Sequence, residues 1–187
     1  MENSRKAPVA ALALAFWIAA GTLPGMAQAV SSSSGFQLDG KEPIEIESDR
    51  LEVRDRESVA IFSGNVTLVQ GKLLLKTVKM TVYYTGEGSA GGPTTSGTDI
   101  ERMEAEGKVY LKQGEQVATG DYGTFDIASG VMTLTGKEVV LTEGDNIVVG
   151  CKLVAHMNTG KSQLDGCGQG GQSGRVKMLL QPGSQNR

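Results

Sequence analysis

Three segments of this chain repeat one pattern: a glycine, a run of alternating apolar and polar residues, and a second glycine. They are GNVTLVQG from Gly64, GKVYLKQG from Gly107 and GKEVVLTEG from Gly136. Gly136 follows Gly107 by 29 residues and Gly166 follows Gly136 by 30. Gly64 precedes Gly107 by 43, and the excess falls in residues 86–99, GEGSAGGPTTSGTD, an insertion rich in turn formers. A unit of about 30 residues holds two or three short strands and cannot bury its own apolar face, so such units have to stack. The third segment carries one extra residue, which suits a β-bulge. The glycines are expected at turns that need positive φ.

The alternation has period 2 from Ile44 onward. Ile44 and Ile46 flank Glu45, Val66 and Leu68 flank Thr67, Met80 and Val82 flank Thr81, and Val109 and Leu111 flank Tyr110. Period 2 puts one set of side chains on one face of a sheet. The expected inward set continues through Val53, Leu73, Leu75, Phe125, Ile127, Leu134, Leu141, Ile147 and Val149. Helical periodicity and helix caps are absent after residue 30, so the chain reads as all-β, built from repeated short antiparallel strands. Residues 175–180, RVKMLL, follow a Gly-rich stretch and precede Pro182. They read as a terminal edge strand, with open backbone groups able to pair with another sheet.

The N-terminus has the parts of a secretory signal peptide. Arg5 and Lys6 precede an apolar run at residues 9–20, Pro24 and Gly25 break it, and Ala27-Gln28-Ala29 is a small-x-small cleavage site. The run is shorter than the roughly 18–20 residues a membrane-spanning helix needs, so residues 1–29 are expected to be removed. An uncleaved membrane anchor is the alternative. Residues 30–41 then form a flexible leader, 42–182 a single domain, and 183–187 a disordered tail. Without residues 1–29 the chain has 16 basic and 20 acidic residues, and with no basic stripe nucleic acid is not an expected partner. Cys151 and Cys167 lie 16 residues apart. In an oxidising compartment they can pair or remain free thiols, and their spacing does not choose between the two.

A catalytic constellation is not found. His156 is the single histidine and has no ligand or triad partner at a fixed spacing. Ser63 lacks the Gly-x-Ser-x-Gly elbow, and the glycines do not form a strand–GxGxxG–helix unit. The carboxylates Glu45, Glu47, Asp49, Glu52 and Asp55 are scattered over polar strand positions, as on a solvated face. No enzyme, cofactor or metal is therefore expected. The aliphatic inner face alone favours a closed core, which every sandwich needs, over a groove for acyl chains.

The residues Pro-Ile-x-Ile-x-Ser-Asp at 43–49, Phe62-x-Gly64-Asn65-Val66 and Gln70-Gly71 resemble the LptA/OstA-like family. The resemblance continues in Gly107-Lys108-Val109, Leu134-Thr135-Gly136 and Arg175-Val176 with Pro182, and so covers nearly all of the chain after the signal peptide. It implies a single twisted β-jellyroll, open at both ends, that carries lipopolysaccharide across the periplasm with the lipid A acyl chains inside. It also implies end-to-end homo-oligomers and docking to an inner-membrane anchored partner and an outer-membrane receptor of the same fold. Carried over to this sequence, the lipid-contacting positions are Ile44, Ile46, Leu73, Leu75, Phe125 and Ile127. The docking edge is Val176, Lys177, Met178, Leu179 and Leu180. The anchored component of the same transport system, a lipid-free structural β-repeat module and an envelope-polysaccharide enzyme are the alternatives. N-terminal sequencing, lipid co-purification and a search for a cleft-facing carboxylate pair would separate them.

Overall fold

A computed structural model describes residues 35, 36, 42–85, 99–168 and 174–182. The signal peptide, most of the leader, nearly all of the 86–99 insertion and the 183–187 tail lie outside the described residues. The described chain makes one antiparallel sheet from β1 (Glu45–Glu47), β2 (Arg50–Arg54), β3 (Val59–Gln70), β4 (Leu73–Thr85), β5 (Asp99–Gln113), β6 (Gln116–Asp126), β7 (Val131–Glu143), β8 (Asn146–His156), β9 (Lys161–Asp165) and β10 (Lys177–Leu179). Strands β3 to β8 pair in chain order as a meander. Each end of the sheet is completed by two short strands. β1 and β2 pair with opposite halves of β3, and β10 and β9 with opposite halves of β8.

The repeat glycines explain how this sheet bends. The second glycine of each repeat sits in a hairpin turn at positive φ, at Gly71, Gly114 and Gly144. The first does not end a strand. Gly64-Asn65 and Gly107-Lys108 adopt positive φ in the middle of β3 and β5, where the register slips. Each pair opposes a single residue on the next strand, Val78 and Asp121 respectively. In the third repeat three residues, 136–138, oppose Cys151 alone, so the extra residue of the sequence enlarges the bulge. The strands are accordingly longer than the repeat suggests: they run through the first glycine, and β5 reaches 15 residues. Bulges raise local twist and bend a strand, and here they form a lane across the sheet.

Polar groups near the lane satisfy its backbone. The Asn65 amide donates to Asp49 Oδ2 at 2.8 Å and the Asp49 N–H donates to Gly64 O at 2.9 Å. The Thr77 hydroxyl donates to Glu106 O at 2.8 Å, and the Lys137 N–H donates to Asp121 Oδ2 at 2.8 Å.

The inner face is buried without a covering layer. Val66, Leu75, Met80, Val82, Val109, Leu111, Phe125, Leu134, Val139 and Leu153 are each no more than 2% exposed. The described residues contain a single 3-10 turn and no α-helix, so the sheet buries this face by curling over itself.

One expectation needs correction. Ile147 and Val149 do not face inward. Val148 and Gly150 do, because they pair with Leu141 and Val139 on the core face. The bulge at Cys151 puts two successive residues outward and reverses the alternation beyond it. Within the leader, Phe36 is 1% exposed and packed in the core.

Candidate functional site

Cross-strand partners share a face, so the pairing register traces the inner wall row by row. One row runs Ala60, Val82, Met103, Phe125, Met132 and Ala155. Beyond the bulges another runs Ile46, Leu68, Leu75, Leu111, Ala118 and Leu141, and continues to Val148 and Met178. The wall is aliphatic and aromatic throughout its middle. Tyr84 is a phenol within it; burial, followed by the neighbouring carboxylate of Asp55, pushes its pKa up, so it stays neutral. Its hydroxyl donates toward Asp55 Oδ1 at 3.5 Å.

The six sequence-selected lipid positions fall in two environments. Leu73, Leu75 and Phe125 are fully buried, while Ile44, Ile46 and Ile127 are half-buried against the same cluster. The inner face is uncovered at two corners. Leu51 and Val53 of β2 pair with Phe62 and Ala60, which places them on the inner face, yet they are 49% and 39% exposed. At the opposite edge and opposite end, Leu141 and Val148 are half-buried and Met178 of β10 is 62% exposed. An open cleft of about 620 Å³ lies between β1 and β2, lined by the apolar Ile46, Leu51 and Phe62 and by the polar Glu47, Ser48, Asp49, Arg50 and Asn65. Alternation alone does not reveal which inward residues the curl leaves bare.

The outer face has a different chemistry. Glu104 accepts from the Tyr83 hydroxyl at 3.3 Å and pairs with Arg102, whose guanidinium lies 4.3 Å from the centre of the Tyr83 ring. Burial, followed by Glu104, raises the Tyr122 pKa. Among the described residues no group of three or more His, Cys, Asp or Glu could hold a metal. His156 sits exposed at the end of β8.

The terminal strand pairs Lys177, Met178 and Leu179 with Val149, Val148 and Ile147 of β8. Val176, Met178, Leu179 and Leu180 are all exposed, and β10 ends the sheet path among the described residues. A disulfide joins Cys151 to Cys167, with Cα atoms 4.9 Å apart. Its two sulfurs lie 3.0 and 3.7 Å from the Lys137 carbonyl oxygen, on the third bulge. The bond stands where the chain leaves the β8–β9 ladder to return as β10. Cys151→Ser is expected to cost about 3 kcal/mol, the chain-entropy value for a loop of this size. A urea-denaturation midpoint measured with and without reductant checks this. Equal midpoints for wild type in both conditions would show that the crosslink adds nothing.

A curled antiparallel sheet with an apolar interior and two splayed edges defines the open-ended β-jellyroll class. Residues 45–161 match the family described as LptA/(LptD N-terminal domain) LPS transport protein, and this chain belongs to that family. It is 48% identical over 161 residues to an uncharacterized protein of Rhizobium meliloti (strain 1021), covering 85% of this chain and 82% of that one. It is 46% identical over 50 residues to an uncharacterized protein of Rhizobium etli from an rpoN-linked probable transport protein 5′ region, covering 27% of this chain and 83% of that one. The fold is similar to the crystal structure of LptH, the LptA homologous periplasmic component of the lipopolysaccharide transport device of Pseudomonas aeruginosa. That match has a TM-score of 0.60 at 20% identity over 75% of this chain and 96% of that one.

Proposed function

We propose that this protein is a periplasmic carrier that shields the acyl chains of lipopolysaccharide and bridges inner- and outer-membrane components of the transport system. The observation that carries the reading is the apolar inner face left uncovered at two diagonally opposite corners, Leu51 with Val53 and Leu141 with Met178. A closed core has no use for bare apolar residues at its seam. Each acyl methylene moved out of water contributes about 0.8 kcal/mol, so a multi-chain lipid crosses an aqueous compartment only if it is covered.

In this reading Ile44, Ile46 and Ile127 meet the lipid first, and Leu73, Leu75 and Phe125 line the interior. Val176 through Leu180 form the docking edge, for a second copy or for a jellyroll partner at either membrane, by strand addition. Export after cleavage at Ala29 delivers the chain to the periplasm. A photo-activated crosslinker at Ile46 or Phe125, in intact cells, is expected to capture lipopolysaccharide. The same group at Val78, an outer-face residue 54% exposed, is expected to capture none. Equal capture at all three positions, or none at any, would sink the carrier.

A further inference from the structure

Phe36 precedes β1 and belongs to no strand, yet it is 1% exposed and part of the core cluster. Its neighbour Gly35 fixes where it enters. That glycine packs against the β8–β9 turn so closely that a Cβ there would overlap the Gly160 carbonyl. Phe36 therefore enters at the end of the sheet where β8 turns into β9. Buried methionines collect at this end. Met103 and Met132 flank Phe125 in one row, Met80 lies in the next row beside Phe62, and Met157 follows β8 into the turn. The far half of the wall is built instead from Val66, Leu68, Leu73, Leu75, Val109 and Leu111.

Methionine is unbranched and repacks around irregular shapes, whereas valine and leucine hold fewer forms. The interior thus has a fixed aliphatic half and an adjustable half. A side chain held by burial, outside the strand ladder, fills the adjustable one. Resting on the carrier reading above, we propose that Phe36 is a built-in plug, which occupies the methionine-lined end of the chamber in the lipid-free protein and is displaced when an acyl chain enters. The methionines then repack around the acyl chain. A plug of this kind lowers the apparent lipid affinity by the fraction of molecules that are open, so a plug closed in nine molecules of ten costs about tenfold.

The test uses the exported chain, which cleavage at Ala29 leaves without the single tryptophan, Trp17, and Phe36→Trp as the reporter. Emission wavelength and acrylamide quenching are followed while rough-type lipopolysaccharide is added, and lipid retention is measured in parallel by gel filtration. The expected result is a blue, poorly quenched indole without lipid that becomes red-shifted and quenched as lipid binds. Phe36→Ala is expected to bind the same lipid about tenfold more tightly than wild type. Lipid retained with an unchanged, protected indole overturns the plug and leaves the carrier standing. Failure of any variant and of wild type to retain lipid overturns both. If Phe36→Ala does not fold, the indole reporter alone decides.

Discussion

Ile46→Asp is expected to give a β-rich, exported protein that no longer retains lipopolysaccharide. Ile46 is half-buried, lies on the short strand β1 and borders the open cleft between β1 and β2. In the empty protein a carboxylate there stays in contact with water, and the ladder pairs from Glu45 to Glu47 use backbone groups that the substitution keeps. With lipid bound, the same carboxylate would lie under acyl chains. An unpaired charge taken out of water costs at least about 3 kcal/mol, roughly a hundredfold in affinity. Circular dichroism tests the fold and lipid retention on gel filtration tests the loading. A β-rich Ile46→Asp protein that loads lipid as well as wild type would move the entrance away from β1.

Deleting residues 175–187 is expected to weaken both self-association and capture of jellyroll partners while leaving lipid loading largely intact. β10 touches the sheet through three register pairs with β8 and adds no residue to the buried core cluster. Its loss removes little of the stabilising interior. What it does remove is the edge that ends the sheet path among the described residues, with four exposed apolar residues, Val176, Met178, Leu179 and Leu180. Such an edge gains affinity from main-chain hydrogen bonds and specificity from its side chains. Sedimentation over a concentration series, with a partner pull-down alongside, measures the effect. A folded truncation with an unchanged oligomer distribution and pull-down would place docking on another edge, β2 being the other splayed strand.

Much of the wall is legible in the order of residues. Period-2 alternation through β3 to β7 picks out Val66, Leu68, Leu75, Met80, Val109 and Leu134, all of which face the interior. The glycine repeat marks the hairpin turns at Gly71, Gly114 and Gly144, and the extra third-repeat residue marks a bulge. Gly64 and Gly107, also expected at turns, sit instead in mid-strand bulges, which the repeat alone does not distinguish. The motif at residues 43–49 carries Asp49, whose carboxylate holds the first bulge through Asn65. These features are local, set by each residue's own backbone and its neighbours along the chain.

The tertiary structure decided what depends on a partner far away in sequence. Whether alternation continues past Cys151 is settled by the bulge in β7 that faces it, so Ile147 and Val149 turn outward although their own strand gives no sign of it. Whether Leu51 is covered depends on how far the sheet curls, since an inner-face residue is buried only where an opposite wall reaches it. Phe36 stands alone in a Ser- and Gly-rich leader, with no periodicity to mark it. It became part of the interior only because the closing sheet left room at its methionine-lined end, a volume that exists once ten strands are in place and in no shorter stretch of the chain.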